Sequence, residues 1–490
     1  MKLSTNLQEN ITTLKELLPI GTSFDFITRD LVLGNRAAYW VGINGMCNVE
    51  LLHQALSNLQ DPYFMNRYSL TDIVDFMQRK MGHAQIMLTD DFSVIQKNLL
   101  SGPTLLMIDG FERALVIDMR IYPQRGIQEP EIEKVTRGSR DGFNETMLTS
   151  TNLLRRRVRS PQLIFEIHSV GTSSQTDVSL AYIGDRVNRE LLQKVIQTID
   201  GLQVTALTMG SSSLQELLIK KHWWNPLPSI QMTERPDVAA SYLEEGHILI
   251  IVDNSPMVLI LPCTIFQFTQ CPEDYHKTPI VGTYFRLLRF LCIPINTLLL
   301  PVFLLITTQY PQLSARLNLL PEQTPSKLQL IIYCIAIEIF LDLFRYSTSL
   351  RGDRFSGPLS IVGGLIIGEI ATNLNWASPE VLFYGAVTLL TSLTISSMEL
   401  GDGLRIYRYF ILLGTALLGS WGFWGALLLS LLSVATTPTF GGMSYFWPLF
   451  PFNWQALQTL LFRYPTYTAQ PSRVWNRGKP HPNRKNKFKK

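Results

Sequence analysis

The 490-residue sequence is short of both charge and cysteine. Only 17% of its residues are Asp, Glu, Lys or Arg, against roughly 25% in soluble proteins. The five cysteines are odd in number and include no CxxC pair, which argues against a disulfide framework and a zinc site. The low charge indicates that part of the chain lies in an apolar environment.

Several signatures of enzymes are also missing. The sequence contains no GxxxxGK[ST], no strand–GxGxxG–helix unit, no HExxH and no GxSxG. No nucleophile–base pair or cluster of metal ligands stands out. We therefore expect no enzymatic activity, no cofactor and no bound metal, and we do not expect a pump that carries its own ATPase.

The N-terminus lacks the apolar core behind a basic start that is typical of a signal peptide. We therefore expect the first 280 residues to lie in the cytoplasm.

The positive charge is concentrated at the C-terminus. The net charge of the chain is +4, and residues 473–490 hold eight basic side chains and no acid. A polybasic segment beside an anionic membrane gains about 1 kcal/mol per cation. We predict a disordered tail at 473–490 that lies next to anionic lipid, and we expect no nucleic-acid partner.

Strands alternate with helices along residues 1–280, which predicts a cytoplasmic α/β region with two subdomains, 1–130 and 131–280. Residues 1–30 have the pattern of an amphipathic helix, and 203–208 that of a short strand. The Asp109-Gly110 pair between two apolar runs predicts a hairpin turn. No internal repeat is evident.

Residues 281–440 predict a polytopic α-helical membrane domain. The apolar runs lie near 290–310, 328–344, 359–374, 381–398 and 409–437, and about 20 residues cross a bilayer.

Basic residues flank the predicted spans and set their orientation, because they favour the cytoplasmic side. They are found before the first span, after the second and, at Arg405 and Arg408, in a loop after the fourth. The run at 409–437 is too long for one crossing and contains four glycines. We expect a re-entrant pair or a broken double pass there, with the basic tail inside.

Residues 441–472 are rich in Trp, Tyr, Phe and Pro, which favour the membrane interface. We predict that this segment lies on the bilayer surface. The alternative is an amphipathic helix that packs on the soluble domain.

Three carboxylates lie inside the apolar runs, at Glu338, Asp342 and Glu369. A charge in lipid costs at least about 2.5 kcal/mol, so such acids face a protein interior or a water-filled path. Glu338 and Asp342 are spaced i, i+4 and share one helix face. One hypothesis is an ion pathway for cations lined by these acids in an oligomer. The alternative is an Asp342–Arg345 pair at the membrane edge, with Glu338 protonated.

Glu369 follows three glycines, Gly363, Gly364 and Gly368. Small residues let helix backbones approach closely, so we assign these glycines to helix packing. Glu369 is the third ion-pathway candidate.

Two further motifs have two interpretations each. The run Thr233-Glu234-Arg235-Pro236-Asp237 is a candidate for gating or coupling between the soluble region and the membrane. Alternatively, Arg235 pairs with Glu234 or Asp237 and caps the following helix. The arginines of the run 155–159 contact lipid, a partner or an acidic ligand, or else form a solvated helix face.

Three stretches of the sequence occur in a characteristic order. They are SRDGFNETMLTSTNLLRRRVRSPQL at 139–163, the TERPD run with the VAASYLEEGHILIIVDNSPMVLILP that follows it, and SIVGGLIIGE at 360–369. Together they resemble the A-subunit family of bacterial spore germination receptors, the GerA or GerABKA family. The junction DYHKTPIVGTYFRLLRFL and the terminal YFWPLFPFNW are similar to one branch of that family.

The resemblance implies a multi-pass protein of the inner membrane of the spore. It also implies a homo-oligomeric, ion-conducting channel that works with other membrane subunits of a germination complex. Combined with the buried acids, it predicts a channel for monovalent cations. A secondary transporter and a non-conducting scaffold or assembly protein are the alternatives.

Overall fold

A computed structural model describes residues 1–34, 36–60, 70–82, 85–122, 138–219, 223–317, 319, 325–351, 378–442 and 444–464. The chain divides into two compact units. The first contains residues 1–220 and 230–263, and the second contains 221–229 and 264–468. The predicted boundary at 280 is therefore wrong, because 264–280 belong with the helices that follow them.

The first unit is built of strands and helices that alternate as the sequence predicts. Its elements in chain order are α1 Leu7–Leu17, β1 Phe26–Leu33, β2 Arg36–Ile43, α2 Val49–Gln60, α3 Ile73–Lys80, β3 Ile86–Thr89, α4 Phe92–Leu99, β4 Thr104–Ile108, β5 Ala114–Ile117, α5 Met147–Arg157, β6 Leu163–Val170, β7 Thr176–Ile183, α6 Arg189–Asp200, α7 Ser211–Leu218, β8 Gln231–Thr233, α8 Pro236–Glu245, β9 Ile248–Val252 and β10 Val258–Leu261.

The strands form two five-stranded antiparallel sheets, with the orders β1-β2-β4-β5-β3 and β6-β7-β9-β10-β8. The two orders are the same, and so is the succession of helices and strands that builds each sheet. The first unit is thus an internal duplication. The expectation of no repeat is therefore wrong. The repeat is evident in the fold and not in the sequence, because few residues are shared between the two copies.

The two copies share the same helix cap after their first hairpin. Asn48 Oδ1 accepts hydrogen bonds from the backbone N–H groups of Glu50 and Leu51, in the Glu-Leu-Leu that follows the first residue of α2. Asn188 Oδ1 does the same for Glu190 and Leu191, in the Glu-Leu-Leu that follows the first residue of α6. A side-chain cap at this position satisfies donors that the helix leaves free.

A second shared feature ties the first helix of each copy to a hairpin turn. Asp109 Oδ1 accepts from the N–H of Leu7 at 3.1 Å, and Asp253 Oδ1 accepts from the N–H of Met147 at 3.1 Å. The residues after these acids, Gly110 and Asn254, have φ of 83° and 61°. Glycine and asparagine are the residues that tolerate this left-handed conformation. The predicted Asp109-Gly110 turn is confirmed.

Helices cover both faces of the first sheet. Successive residues of β2 face opposite sides, so Tyr39 and Val41 pack with α1 and α4, whereas Ala38 and Trp40 pack with α2 and α3. This arrangement buries both faces of the sheet.

Two predicted elements of the first unit differ from the structure. Residues 1–30 are not one helix, because α1 ends at Leu17 and Phe26 begins a strand paired with β2. Pro19 and Gly21, the latter with φ of 92°, make the turn between them. Residues 203–208 form no strand. The carbonyls of Val204 and Thr205 accept bonds only from a turn at 172–174.

The second unit is helical. Its helices are α9 Glu273–His276, α10 Pro279–Gln309, α11 Pro311–Arg316, α12 Lys327–Arg351, α13 Pro379–Leu393, α14 Met398–Ala435 and α15 Trp454–Leu461. By length and composition, two helices in the described part of the chain are able to cross a membrane, α10 and α14. The predicted span at 359–374 and the basic tail at 473–490 lie outside the described residues.

Helix α14 folds back on itself at Gly419, where φ is 59° and ψ is −132°. The hydroxyls of Tyr407 and Ser433 are 2.8 Å apart, whereas a straight helix would separate these residues by about 39 Å. Residues 398–418 and 420–435 are therefore antiparallel halves of a hairpin. The sequence predicted a re-entrant pair or broken double pass in this run, and the break confirms that the run does not continue straight.

The boundaries of the fourth and fifth predicted spans differ from the structure. The residues between Leu393 and Met398 break the helix, and Ser397 Oγ caps α14 by accepting from the N–H of Leu400. Arg405 and Arg408 thus lie in a helix and not in a loop. Their charges are tolerated there because acids on α12 pair with both of them.

Close approach of two glycines holds the hairpin together. A Cβ on Gly422 would lie 1.9 Å from the carbonyl oxygen of Gly414, whereas a Cβ on Gly425 would meet nothing within 4 Å. We expect Gly422→Ala to destabilise the helical unit by about 1–3 kcal/mol, because the halves must move apart. The melting temperature of the detergent-solubilised chain should fall by several degrees.

The matched control for this prediction is Gly425→Ala on the same half-helix. It adds the same methyl group and should be neutral or slightly stabilising, since alanine favours helix. Equal melting temperatures for the two variants would show that the hairpin does not depend on the glycine contact.

Candidate functional site

Charged side chains meet between α10, α12 and α14 inside the second unit. Glu338 on α12 is fully buried, and Arg408 on α14 is 4% exposed. Arg408 Nε lies 2.6 Å from Glu338 Oε1, and Arg408 Nη2 donates to Oε2 at 2.8 Å. The two groups form a two-point ion pair, the strong geometry for arginine and carboxylate.

The third helix contributes Asn296 to this ion pair. Arg408 Nη1 donates to the backbone carbonyl of Asn296 at 3.0 Å and to its side-chain oxygen at 2.7 Å. Asn296 is fully buried. Its Nδ2 makes no hydrogen bond within the described residues, so one donor of the site is left for another acceptor.

One turn along α12, Asp342 makes a second pair with α14. Its carboxylate accepts from Arg405 at 2.9 Å and from the hydroxyl of Tyr409 at 2.7 Å. Arg405 also contacts Asp402 at 3.1 Å, and Arg345 lies 3.7 Å from the same acid. The predicted Asp342–Arg345 pair is therefore replaced by Asp342–Arg405.

Charge is balanced across these contacts. Three acids (Glu338, Asp342 and Asp402) lie against three arginines (Arg345, Arg405 and Arg408). Pairing of this kind offsets part of the cost of holding charge in an apolar surrounding. In this arrangement Glu338 and Asp342, which were predicted to line a cation path, each form an ion pair with an arginine.

The Glu338–Arg408 pair lies deep within the helical unit. Arg408 precedes the break at Gly419 by three turns, about 16 Å of helix.

The i, i+4 spacing of Glu338 and Asp342 correctly predicts that both face one neighbour. The identity of that neighbour does not follow from the predicted spans, because they place Arg405 and Arg408 in a loop. The available signal was the series Asp402, Arg405, Arg408, whose spacing of three places charges on one side of a helix.

A second buried ion cluster sits at the start of α10. Arg289 donates to both oxygens of Asp274 at 3.1 Å, and Arg286 Nε lies 3.4 Å from the same carboxylate. Both arginines were predicted to flank the first span. The structure instead begins α10 at Pro279 and buries them, which explains why 264–280 belong to the helical unit.

In the first unit, Arg235 is 1% exposed and pairs with Asp237 at 2.7 Å. Thr233 Oγ1 accepts from the N–H of Arg235, which is the N-cap residue of α8, and Pro236 follows at its first position. The carbonyl of Glu234 accepts from the N–H of Phe143. The predicted Arg235–Asp237 pair is confirmed, and the gating or coupling role stays a prediction.

The arginine run 155–159 is divided between the surface and the core. Arg156 and Arg159 are exposed, as the predicted solvated face requires, whereas Arg155 is not. Arg155 is fully buried, and its Nε donates to Asp25 at 2.8 Å, so that it joins the two copies of the duplication. Arg157 pairs with Asp141 at 2.6 Å, and Arg156 lies over the ring of Tyr122. Arg155 is therefore part of the protein core and is not available to lipid or solvent.

The remaining predicted site residues, Glu369 with Gly363, Gly364 and Gly368, lie outside the described residues. Within the described residues, no group of three or more His, Cys, Asp or Glu side chains is placed to hold a metal ion.

A family model described as Bacillus/Clostridium GerA spore germination protein matches residues 12–473 of the chain. The chain is 31% identical to stage V sporulation protein AF of Bacillus subtilis (strain 168), with 96% of this chain and 94% of that protein covered. It is 27% identical to the uncharacterized membrane protein YfkQ of the same organism, with 95% and 90% covered.

Among solved structures, the chain is similar to the N-terminal domain of the A subunit of the Bacillus megaterium spore germinant receptor GerK3. The identity is 26%, the TM-score is 0.41, and the match covers 53% of this chain and 96% of that one.

Proposed function

The chain belongs to the GerA family of Bacillus/Clostridium spore germination proteins, and we propose that it is a membrane subunit of an oligomeric channel for monovalent cations. The family places the chain among proteins of spore germination. The conduction, the ion and the oligomer are our proposal. Its main support is the network of Glu338, Asp342, Arg405 and Arg408 among apolar helices, in which the Glu338–Arg408 pair is buried.

The proposed mechanism begins from the paired state of the acids. While Arg408 and Arg405 hold Glu338 and Asp342, neither carboxylate attracts a cation. Opening separates α14 from α12, which releases the acids to concentrate cations along the path. In an oligomer the acids of all subunits form rings of negative charge, the arrangement that selects cations in other channels.

The proposed location is the inner membrane of the spore, with α10 and α14 in the bilayer. The α14 hairpin supports a tail on the inner side, because it returns the chain to the end at which it started. We propose that the first unit lies in the cytoplasm, where it senses, assembles or gates. Proposed partners are further copies of this chain, other membrane subunits of a germination complex, and anionic lipid at the basic tail.

The channel proposal is tested by neutralising both acids in the full chain. We expect Glu338→Gln with Asp342→Asn to lower monovalent cation flux in reconstituted vesicles by about tenfold, because a unit charge near the path contributes one to a few kcal/mol. The variant is first checked for the oligomeric size of the parent protein.

The control is Asp402→Asn, which removes the same charge at the more exposed edge of the network, where the acid side chain is 54% exposed. Its flux should stay close to that of the parent. Unchanged flux and selectivity in the Glu338/Asp342 double variant would overturn the assignment of these acids to the path.

Each alternative function has one observation in its favour. The break at Gly419 is the kind of discontinuous helix that lines transporter sites, and saturable uptake of one solute would favour a secondary transporter. The balance of acids and arginines suits a scaffold whose charges are structural. Oligomers without conductance would favour that alternative.

We propose that the chain is not an enzyme. Burial raises the pKa of the Cys47 thiol to about 11, so this cysteine stays protonated near neutral pH, and thiols in that state are poor nucleophiles.

A further inference from the structure

Two neighbouring tryptophans of the second unit have no role in the proposed channel. Trp223 is 91% exposed and Trp224 is 59% exposed. Their rings meet edge to face, with centroids 5.8 Å apart. Large apolar side chains in water lose the favourable free energy of burial, so an exposed indole pair marks a surface for an apolar or interfacial partner.

The backbone that follows the tryptophans is fixed to one end of the α14 hairpin. Asn225 Nδ2 donates to the hydroxyl of Thr437 at 2.9 Å, just beyond the last residue of α14. Pro226 O lies 3.0 Å from the place where a Cβ on Gly403 would be, near the start of α14. The tryptophans are thus held at the end where the hairpin begins and finishes.

Aromatic side chains are also exposed at the opposite end of the hairpin. Trp421, two residues beyond the break, is 88% exposed, and Tyr310 is 48% exposed. The Tyr310 hydroxyl lies 3.3 Å from that of Ser420. About 24 Å of helix separate Gly403 from Gly419, which is close to the thickness of a bilayer core, about 30 Å.

Tryptophan and tyrosine gather at the two faces of a membrane, where the ring is buried and the N–H or O–H reaches water or headgroups. The exposed tryptophans at one end of the hairpin and the exposed Trp421 and Tyr310 at the other end match that distribution.

Neighbouring segments share the chemistry of a membrane interface. In the sequence, Lys220, Lys221 and His222 directly precede Trp223, and basic residues beside a membrane surface favour anionic headgroups. The hydroxyl of Tyr445 donates to the carbonyl of Pro228 at 2.7 Å. That bond ties the tryptophan segment to the aromatic run in which Phe450, Phe452 and Trp454 are exposed.

We propose that Trp223 and Trp224 form an anchor that sits at the headgroup level of the bilayer on the side where the hairpin begins and ends. Their partner is the lipid interface, with the indole rings below the headgroups. This inference rests on the proposed membrane location of α10 and α14.

The test places a fluorescent reporter at single positions of the full chain. In a background without its five native cysteines, one cysteine at 223, 224, 428 or 209 is labelled with NBD and the protein is reconstituted in phosphatidylcholine–phosphatidylglycerol vesicles. Nitroxide lipids that carry the spin label at the headgroup or on the acyl chain report depth, and aqueous iodide reports exposure to water. Leu428, 59% exposed at mid-hairpin, and Met209, 76% exposed in the first unit, are the controls.

We expect NBD emission at 223 and 224 to shift to the blue of that at 209, and the headgroup nitroxide to quench it more strongly than the acyl nitroxide. At 428 the order of the two nitroxides should be reversed. At 209 only iodide should quench.

The other outcomes overturn the anchor in distinct ways. If 428 is quenched by the acyl nitroxide but 223 and 224 respond to iodide alone, the anchor is wrong and the membrane location stands. If 223 and 224 are shielded from both lipid and iodide, a protein surface covers them. If 428 is not quenched by either lipid, the membrane location fails and the anchor fails with it.

Discussion

Asp25→Ala is expected to destabilise the first unit by about 3–5 kcal/mol, the usual cost of removing one partner of a buried ion pair. Arg155 would remain with its charge uncompensated at a position that is fully buried. The loss should appear as faster amide hydrogen exchange in the full chain, first in the segments that join the two copies of the duplication. The backbone N–H of Phe24, bonded to the carbonyl of Phe165 at 3.1 Å, is one such reporter.

The loss of stability in Asp25→Ala is expected to be large because the Arg155 side chain is completely buried. Beyond Asp25, it donates to the carbonyls of Ser160 and Leu163 at 3.2 and 2.9 Å. Its guanidinium lies 5.5 and 5.1 Å from the ring centres of Phe26 and Phe165.

Two controls separate the ion pair from general damage. Arg157→Ala removes a neighbouring arginine whose pair with Asp141 is partly exposed, and it should cost less than Asp25→Ala because solvent screens the pair. The double substitution Asp25→Leu with Arg155→Met removes both charges and should recover most of the loss, since apolar replacements of buried pairs are often neutral. Exchange in Asp25→Ala that matches Arg157→Ala would contradict the prediction.

The sequence predicts local structure better than it predicts which side chains form ion pairs with one another. The Asp109-Gly110 pair located a turn, because that signal is contained within two residues. Arg155 is one of four arginines within five residues, and nothing in their local pattern distinguishes the buried one. Its partner lies far away in the sequence, at Asp25, and only the duplication brings the two together.

The same limit applies to the helical unit. The length and glycine content of 409–437 predicted a break, and the structure has one at Gly419. The predicted start of that segment is nevertheless too late, because two arginines in an apolar region are typical of a loop boundary. Only the acids of α12 make those arginines acceptable in a helix. Whether a charged residue of an apolar segment lies in a helix or in a loop is therefore best predicted together with the opposite charge that pairs with it.

Arg408→Leu is expected to have the second large effect, a loss of about 3–5 kcal/mol of stability in the helical unit. The substitution leaves the fully buried Glu338 and the side-chain oxygen of Asn296 without their arginine donor. Arg408→Lys should give an intermediate result, because lysine keeps the charge but cannot form the two-point contact. The measurements are the yield of monodisperse protein after detergent extraction and its melting temperature.

The double substitution Glu338→Met with Arg408→Met separates stability from conduction. Removing both charges should restore the yield and melting temperature that Arg408→Leu loses, because no buried charge is left unpaired. If the acid serves the cation path, the stable double variant should still conduct poorly, since the path lacks Glu338 when it opens. A stable double variant with the cation flux of the parent would mean that the pair is structural, and it would favour the scaffold or a path elsewhere in the oligomer.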